Sequence, residues 1–313
     1  MKKFGLAAVT TLALASASYL ALASSSYAAD MVLKGPAVET TQPVSAYIEL
    51  YGGWGHNKIF DIGYDGWNLG GAARATYWWS RGASIQLDVQ ADGTNYSDPG
   101  FGRFSEHSYL IGGHVSWRDS RYLWGVFGAA GDATSQDGNG PPYRHGIVGV
   151  EGQAYLGPVT LYGQVGYDTT VGNPLFLGID NLHAFFARGT VRYYLTPNTR
   201  LEGTGLYAWG SMEFTSGGPS AADFNVWLVR AKLEHKFAGS PFSAFAAYEW
   251  SEHRWDSSSI FGPKSENQKF TAGIRLGINE GTLQSNDLRG TTLDIIDVGK
   301  LFRFGSQELI VVP

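Results

Sequence analysis

The chain has 313 residues, no cysteine, a formal charge of −5, only 16% charged residues and 14% aromatics. The missing cysteine excludes a disulfide framework, a thiol nucleophile and thiolate metal ligation, and the acidic balance without a basic run argues against nucleic-acid binding. A soluble domain carries about a quarter charged residues, so the deficit points to a surface that water does not fully cover.

The chain opens with Lys2 and Lys3, an apolar and small-residue run over 4–23, and "SSSYAAD", which sets Ser26 and Ala28 at −3 and −1 of a cleavage site. Residues 1–28 therefore read as a secretory signal peptide that is removed on export. Residues 29–45 contain Pro36 and Pro43 and show no periodicity, so they are expected to form a periplasmic leader segment. Beyond Ala28 no stretch approaches the ~18 apolar residues that a spanning helix needs.

From residue 46 the pattern changes to period two. Residues 83–92, "ASIQLDVQAD", set Ile85, Leu87, Val89 and Ala91 on one parity and Ser84, Gln86, Asp88, Gln90 and Asp92 on the other. Such alternation means a strand with one apolar and one polar face. It recurs, with varying sharpness, over 46–55, 67–79, 83–95, 108–118, 122–131, 145–156, 159–167, 184–195, 200–210, 225–237, 242–251 and 269–279. Most of these lengths are close to the ~9–11 residues that a tilted strand needs to cross a bilayer core.

The connections alternate in kind. Those at 80–82, 119–121, 157–158, 196–199 and 238–241 are short; those at 56–66, 96–107, 132–144, 168–183, 211–224 and 252–268 are longer and polar. A Greek-key sandwich has no reason to keep that order, whereas an up-and-down outer-membrane barrel has short periplasmic turns and longer outer loops. The ten tryptophans all fall near or just beyond the expected strand ends, as an aromatic girdle requires. The expected fold is an all-β, transmembrane, up-and-down antiparallel barrel of about 12 strands over residues 46–279, with its apolar parity toward lipid and its polar parity toward the lumen.

The "AAD" signal ending, the Pro-bearing leader, the opening strand "YIELYGGWG" and the later "RYYLTPNTRLEG" resemble the porin-family outer-membrane β-barrel proteins of alphaproteobacteria. The resemblance implies export to a bacterial outer membrane. Such barrels usually end on an aromatic residue that closes the last strand; here residues 280–313 follow instead. This tail lacks clean alternation. Periplasmic, lumenal and further-hairpin placements are all open, the last giving 14 strands; the periplasmic one is the expectation.

The candidate pore-lining residues are Arg74, Asp88, Asp92, Glu151, Arg188, Arg192, Arg230, Lys232, Glu234, Glu249 and Arg275. Acidic and amide residues dominate the first seven strands and basic ones the last five, so opposed walls of opposite charge are expected. The function that follows is a porin-like passive diffusion channel for small polar or ionic solutes, without cofactor, metal or catalysis. Its partners are outer-membrane lipid and small solutes, and the pattern does not define an oligomer. A non-conducting barrel that works through its outer loops is the alternative, with the apolar stretch at 169–182 as its candidate surface. The loop-side histidines His56, His107, His145, His183 and His253 read as solvated loop residues, because no catalytic or metal spacing links them.

Overall fold

The computed structural model describes residues 43–59, 62–98, 102–136, 143–171, 179–214, 221–255, 264–299 and 301. The expected signal peptide, nearly all of the leader and much of the apolar stretch at 169–182 lie outside the described residues. Twelve strands follow in order: β1 (Val44–Ile59), β2 (Ile62–Trp78), β3 (Ala83–Asp98), β4 (Gly102–Arg118), β5 (Tyr122–Gln136), β6 (Tyr143–Leu156), β7 (Val159–Thr170), β8 (Ile179–Thr196), β9 (Thr199–Phe214), β10 (Ala221–Lys236), β11 (Phe242–Trp255) and β12 (Lys264–Ile278). Each pairs antiparallel with its neighbours in sequence, and β1 pairs with β12 through Glu49↔Arg275, so the sheet is a closed up-and-down barrel.

The wall is greasy on the outside. Leu50, Leu69 and Val150 are all more than half exposed, while their polar chain neighbours Glu49, Asn68 and Glu151 lie in the interior. This is the reverse of a soluble domain, and it follows from alternation in a solvent that is itself apolar. Trp54 and Trp67 are register partners at one rim, and Trp117 stacks on Trp124 at the other with ring centroids 4.7 Å apart. On β2, Trp67 and Tyr77 both face outward. The roughly ten residues between them, at ~3.4 Å each and ~40° of tilt, span about 25 Å, the height of an apolar membrane band. Trp78 departs from the girdle expectation: it is buried inside the barrel, with the Arg118 guanidinium 5.0 Å from its ring centroid.

The strands run further than the alternation reaches. The expected loop at 56–66 is mostly paired β1–β2 backbone continuing through Ile59↔Ile62, and His56 Nδ1 meets Asp65 Oδ1 at 2.7 Å. Above the bilayer the outer face has no reason to stay apolar, so periodicity fades while the hydrogen-bond ladder continues. At the opposite end the turns are tight. Gly157 and Gly239 sit at φ 67° and 69°, a left-handed conformation that suits glycine. The β4–β5 turn is held by Asp119 Oδ1, which accepts from the backbone N–H groups of Arg121 (2.6 Å) and Tyr122 (2.8 Å).

After β12 the chain turns back under the rim. Asn279 adopts φ 56° and donates its side-chain amide to Val44 O at 3.0 Å. A short helix, α1 (Leu283–Arg289), follows, with Thr282 as N-cap accepting from Ser285 N at 3.1 Å. Residues 291–298 then lie within the barrel, buried except for Asp294 and Ile296, which are partly buried. Of the tail expected in the periplasm, the described residues 291–298 instead lie in the lumen, and no thirteenth or fourteenth strand forms among the described residues.

Candidate functional site

The lumen is two surfaces in one bore. Toward the short turns its wall is polar and charged. Toward the longer loops much of it is apolar: Leu110, Phe127, Ile147, Leu182, Phe186, Leu206, Phe224, Val226 and Leu228 all point inward and form one buried cluster. An apolar lining left against water is unfavourable, and the tail covers it: Ile295 and Val298 complete the cluster, with Ile296 and Leu301 packed against it. Each fully buried side chain of this kind contributes about 1.5–3 kcal/mol. Gly112 makes room for the contact, since a Cβ there would lie 2.4 Å from Ile295 Cδ1.

The amide-rich wall serves the tail's backbone. Gln86 Nε2 donates to Leu293 O at 2.7 Å and Gln164 Nε2 to Asp294 O at 2.8 Å, while Gln90 Nε2 reaches Ile295 O at 3.3 Å. These bonds satisfy carbonyls that have no ladder of their own. The basic wall meets the tail's carboxylates. Arg188 Nη2 donates to Asp294 Oδ2 at 2.8 Å, Arg192 Nη1 donates to Asp287 Oδ1 at 2.7 Å, and Arg275 pairs with Glu280. Burial pushes the Glu280 carboxyl above its ordinary range, against the pull of Arg275 and Lys236. α1 lies across the turn end, where Arg118 Nη1 donates to Asp287 O (3.0 Å), Gln284 N to Pro197 O (3.0 Å) and Gln284 Nε2 to Gly157 O (3.1 Å).

All eleven residues singled out from the sequence face the interior, but they do different work there. Asp88 is held by Arg74 (3.1 Å), Glu151 by His114 (2.7 Å), and Glu234 by Arg200 (2.8 Å) and Lys232 (3.6 Å). These ions bind the wall to itself. The expected separation into facing charged walls therefore becomes local neutralisation, with the tail's acids supplying much of the balance. His145 and His253, expected as solvated loop residues, are buried: His145 lies between Asp168 (2.7 Å) and Asp297 (3.4 Å), and His253 stacks on Phe224. Ser211 and His183 share a hydrogen bond of 3.0 Å on the outward parity of Phe185 and Trp209.

Space remains between the tail and the β1, β2 and β10–β12 side of the wall. A cavity of about 190 Å³ is lined by Arg74, Asp92, Arg188, Arg230 and Glu249 among others, and reaches toward the loop end at Asn57 and Ser265. A second, of about 60 Å³, lies toward α1 and is lined by Arg192, Lys232, Arg275 and Asp287. The two share Glu49, Arg74, Arg230 and Asp294. The sequence reading missed the tail's role. The signal it carried was a lumen parity that turns apolar toward the loop end, beside an unassigned segment rich in Leu and Ile.

No family model matches the chain, and no curated protein matches it in sequence. Among solved structures, an outer membrane channel from Pseudomonas putida F1 aligns at 11% identity over 78% of this chain and 100% of its own, with a TM-score of 0.55. The β-domain of the Bordetella autotransporter BrkA aligns at 15% identity over 76% and 100%, with a TM-score of 0.44. The translocator domain of NalP from Neisseria meningitidis aligns at 11% identity over 85% and 97%, with a TM-score of 0.42. Similarity at the level of the first shows a common fold, here a closed up-and-down barrel of twelve strands with part of its own C-terminal segment seated in the bore.

Proposed function

We propose that this protein is a porin-like barrel of a bacterial outer membrane, exported by a cleaved signal peptide, that passes small polar or ionic solutes along the gap between its tail and its wall. The observation that supports this reading is the pair of polar cavities meeting at Glu49, Arg74, Arg230 and Asp294. Twelve strands enclose more room than the filled interior of eight and less than the wide channel of sixteen. Here the tail takes up part of that room, so passage is narrow and selected by charge. The longer loops face outward and the tight turns face the periplasm. The reading assigns no covalent step; the Ser211–His183 pair is an outward cross-strand contact.

A second reading, a non-conducting barrel that acts through its loops, is favoured by α1 lying across the turn end. Planar-bilayer recordings separate the two. The passage reading expects small conductance steps from the full chain and larger ones when Arg192→Gln loosens the tail. Silence from both correctly folded proteins would overturn it in favour of the surface barrel.

A further inference from the structure

The larger cavity has a charge arrangement that the wall leaves incomplete. Arg230 on β10 and Lys269 on β12 are both register partners of Glu249 on β11, so a carboxylate stands between two cations in one cross-strand row. Lys269 Nζ already faces Asp92 Oδ1 at 3.8 Å, and Asp92 Oδ2 accepts from Tyr51 OH at 3.1 Å. Arg230 and Glu249 are different. Both line the cavity, and among the described residues neither forms a hydrogen bond or an ion pair within 4.0 Å. A guanidinium and a carboxylate side by side, each with unused capacity, present one site for an anion and one for a cation.

Asn68 adds a second observation. Its side chain lines the same cavity and is 2% exposed, yet neither Oδ1 nor Nδ2 has a hydrogen-bond partner. A buried amide is expected to be bonded, and one that is not, in the lining of a polar cavity, has hydrogen-bonding capacity that a small turn of the side chain would offer to a ligand.

We infer that this cavity is a binding site for a small zwitterion of the α-amino-acid class, its carboxylate on Arg230 and its ammonium on Glu249, beside the unbonded amide of Asn68. The adjacency of Arg230 and Glu249 selects the class. A simple anion would leave Glu249 unmet and repelled, and a simple cation would do the same to Arg230. A neutral polyol would satisfy Asn68 but neither charge. This inference rests on the reading of the lumen as a solute passage, and its test measures binding apart from conduction.

The full chain in detergent micelles is titrated calorimetrically with L-alanine, L-alaninamide, N-acetyl-L-alanine and glucose. L-Alanine is expected to bind, and removal of either charge to weaken binding about tenfold or more. Arg230→Gln should abolish the advantage of L-alanine over L-alaninamide, and Glu249→Gln its advantage over N-acetyl-L-alanine. Near-ultraviolet circular dichroism confirms that each variant is folded, and Arg230→Lys should restore part of the carboxylate preference. Equal binding of N-acetyl-L-alanine would make this an anion site, equal binding of glucose a polyol site, and no heat from L-alanine no site; each result overturns the inference. Conductance steps from the same preparation, in the absence of L-alanine binding, would overturn it while leaving the passage reading intact.

Discussion

Arg192 on β8 places Nη1 2.7 Å from Asp287 Oδ1, so a buried wall guanidinium is paired with a carboxylate carried by α1, 95 residues further along the chain. The same guanidinium donates to Thr292 Oγ1 (2.8 Å) and Thr292 O (3.1 Å), and Thr292 Oγ1 donates to Asp287 Oδ1 at 2.6 Å. Three groups of the tail are thus gathered on one wall side chain.

Removing one partner leaves the other buried with only its secondary ion pair, Glu202 for Arg192 (3.1 Å) and Arg200 for Asp287 (4.0 Å). Arg192→Gln or Asp287→Asn should each weaken tail seating by about 1–3 kcal/mol, and the double variant should cost less than the sum of the two. Proteolysis of the folded protein in micelles checks this: cleavage between residues 283 and 298 should accelerate in each single variant. Unchanged protection would show that the pair does not hold the tail.

Packing at Gly112 is the second hold. A Cβ there would also meet Ala129 Cβ at 2.8 Å, so Gly112→Val overfills the contact with Ile295 and should cost about 1–3 kcal/mol. The natural chain has no cysteine, so a Val298→Cys probe reports on this segment alone. Its maleimide labelling is expected to be faster in the Gly112→Val background. Equal rates would place the strain elsewhere.

Ile111 is 62% exposed near the middle of β4, on the outward face. Ile111→Lys should destabilise the barrel in a bilayer by about 2–4 kcal/mol. Urea unfolding in lipid vesicles measures this. A change below about 0.5 kcal/mol would contradict the assignment of that face to lipid.

The β4–β5 turn predicts a pH effect. Two backbone N–H donors hold the Asp119 carboxyl below the 3.8 of an ordinary aspartate. The turn's contribution is therefore complete above that ordinary value and is lost as the pH falls through the lower folded-state value. A nuclear magnetic resonance titration should find Asp119 still ionised at pH 3.8. Titration at or above that value would show that the turn bonds do not persist in solution.

The wall was legible because lipid enforces a strict rule. A one-residue slip would turn Asp88, Arg230 or Arg275 toward hydrocarbon, so alternation is sharp where β3, β10 and β12 cross the membrane and the strand count follows from it. Strand ends were less legible, since past the bilayer only the backbone ladder, as at Asn57↔Tyr64, keeps the chain extended. The tail was the hardest part. Leu293, Ile295 and Val298 pack against a surface assembled from many strands, and their spacing is neither helical nor period two. The partners of Asp287 and Asp294 are set by tertiary placement, which no local pattern encodes.

Only a short stretch, residues 279–290 with α1 in it, joins the last strand to the segment that occupies the bore. Insert and wall are therefore fixed at one copy each, and a dislodged segment stays on a short leash beneath the opening. Its effective concentration at the mouth is in the millimolar range or above, whatever the abundance of the protein. Any unblocking is then a brief, self-resetting excursion, timed by the tether and not by diffusion of a separate stopper.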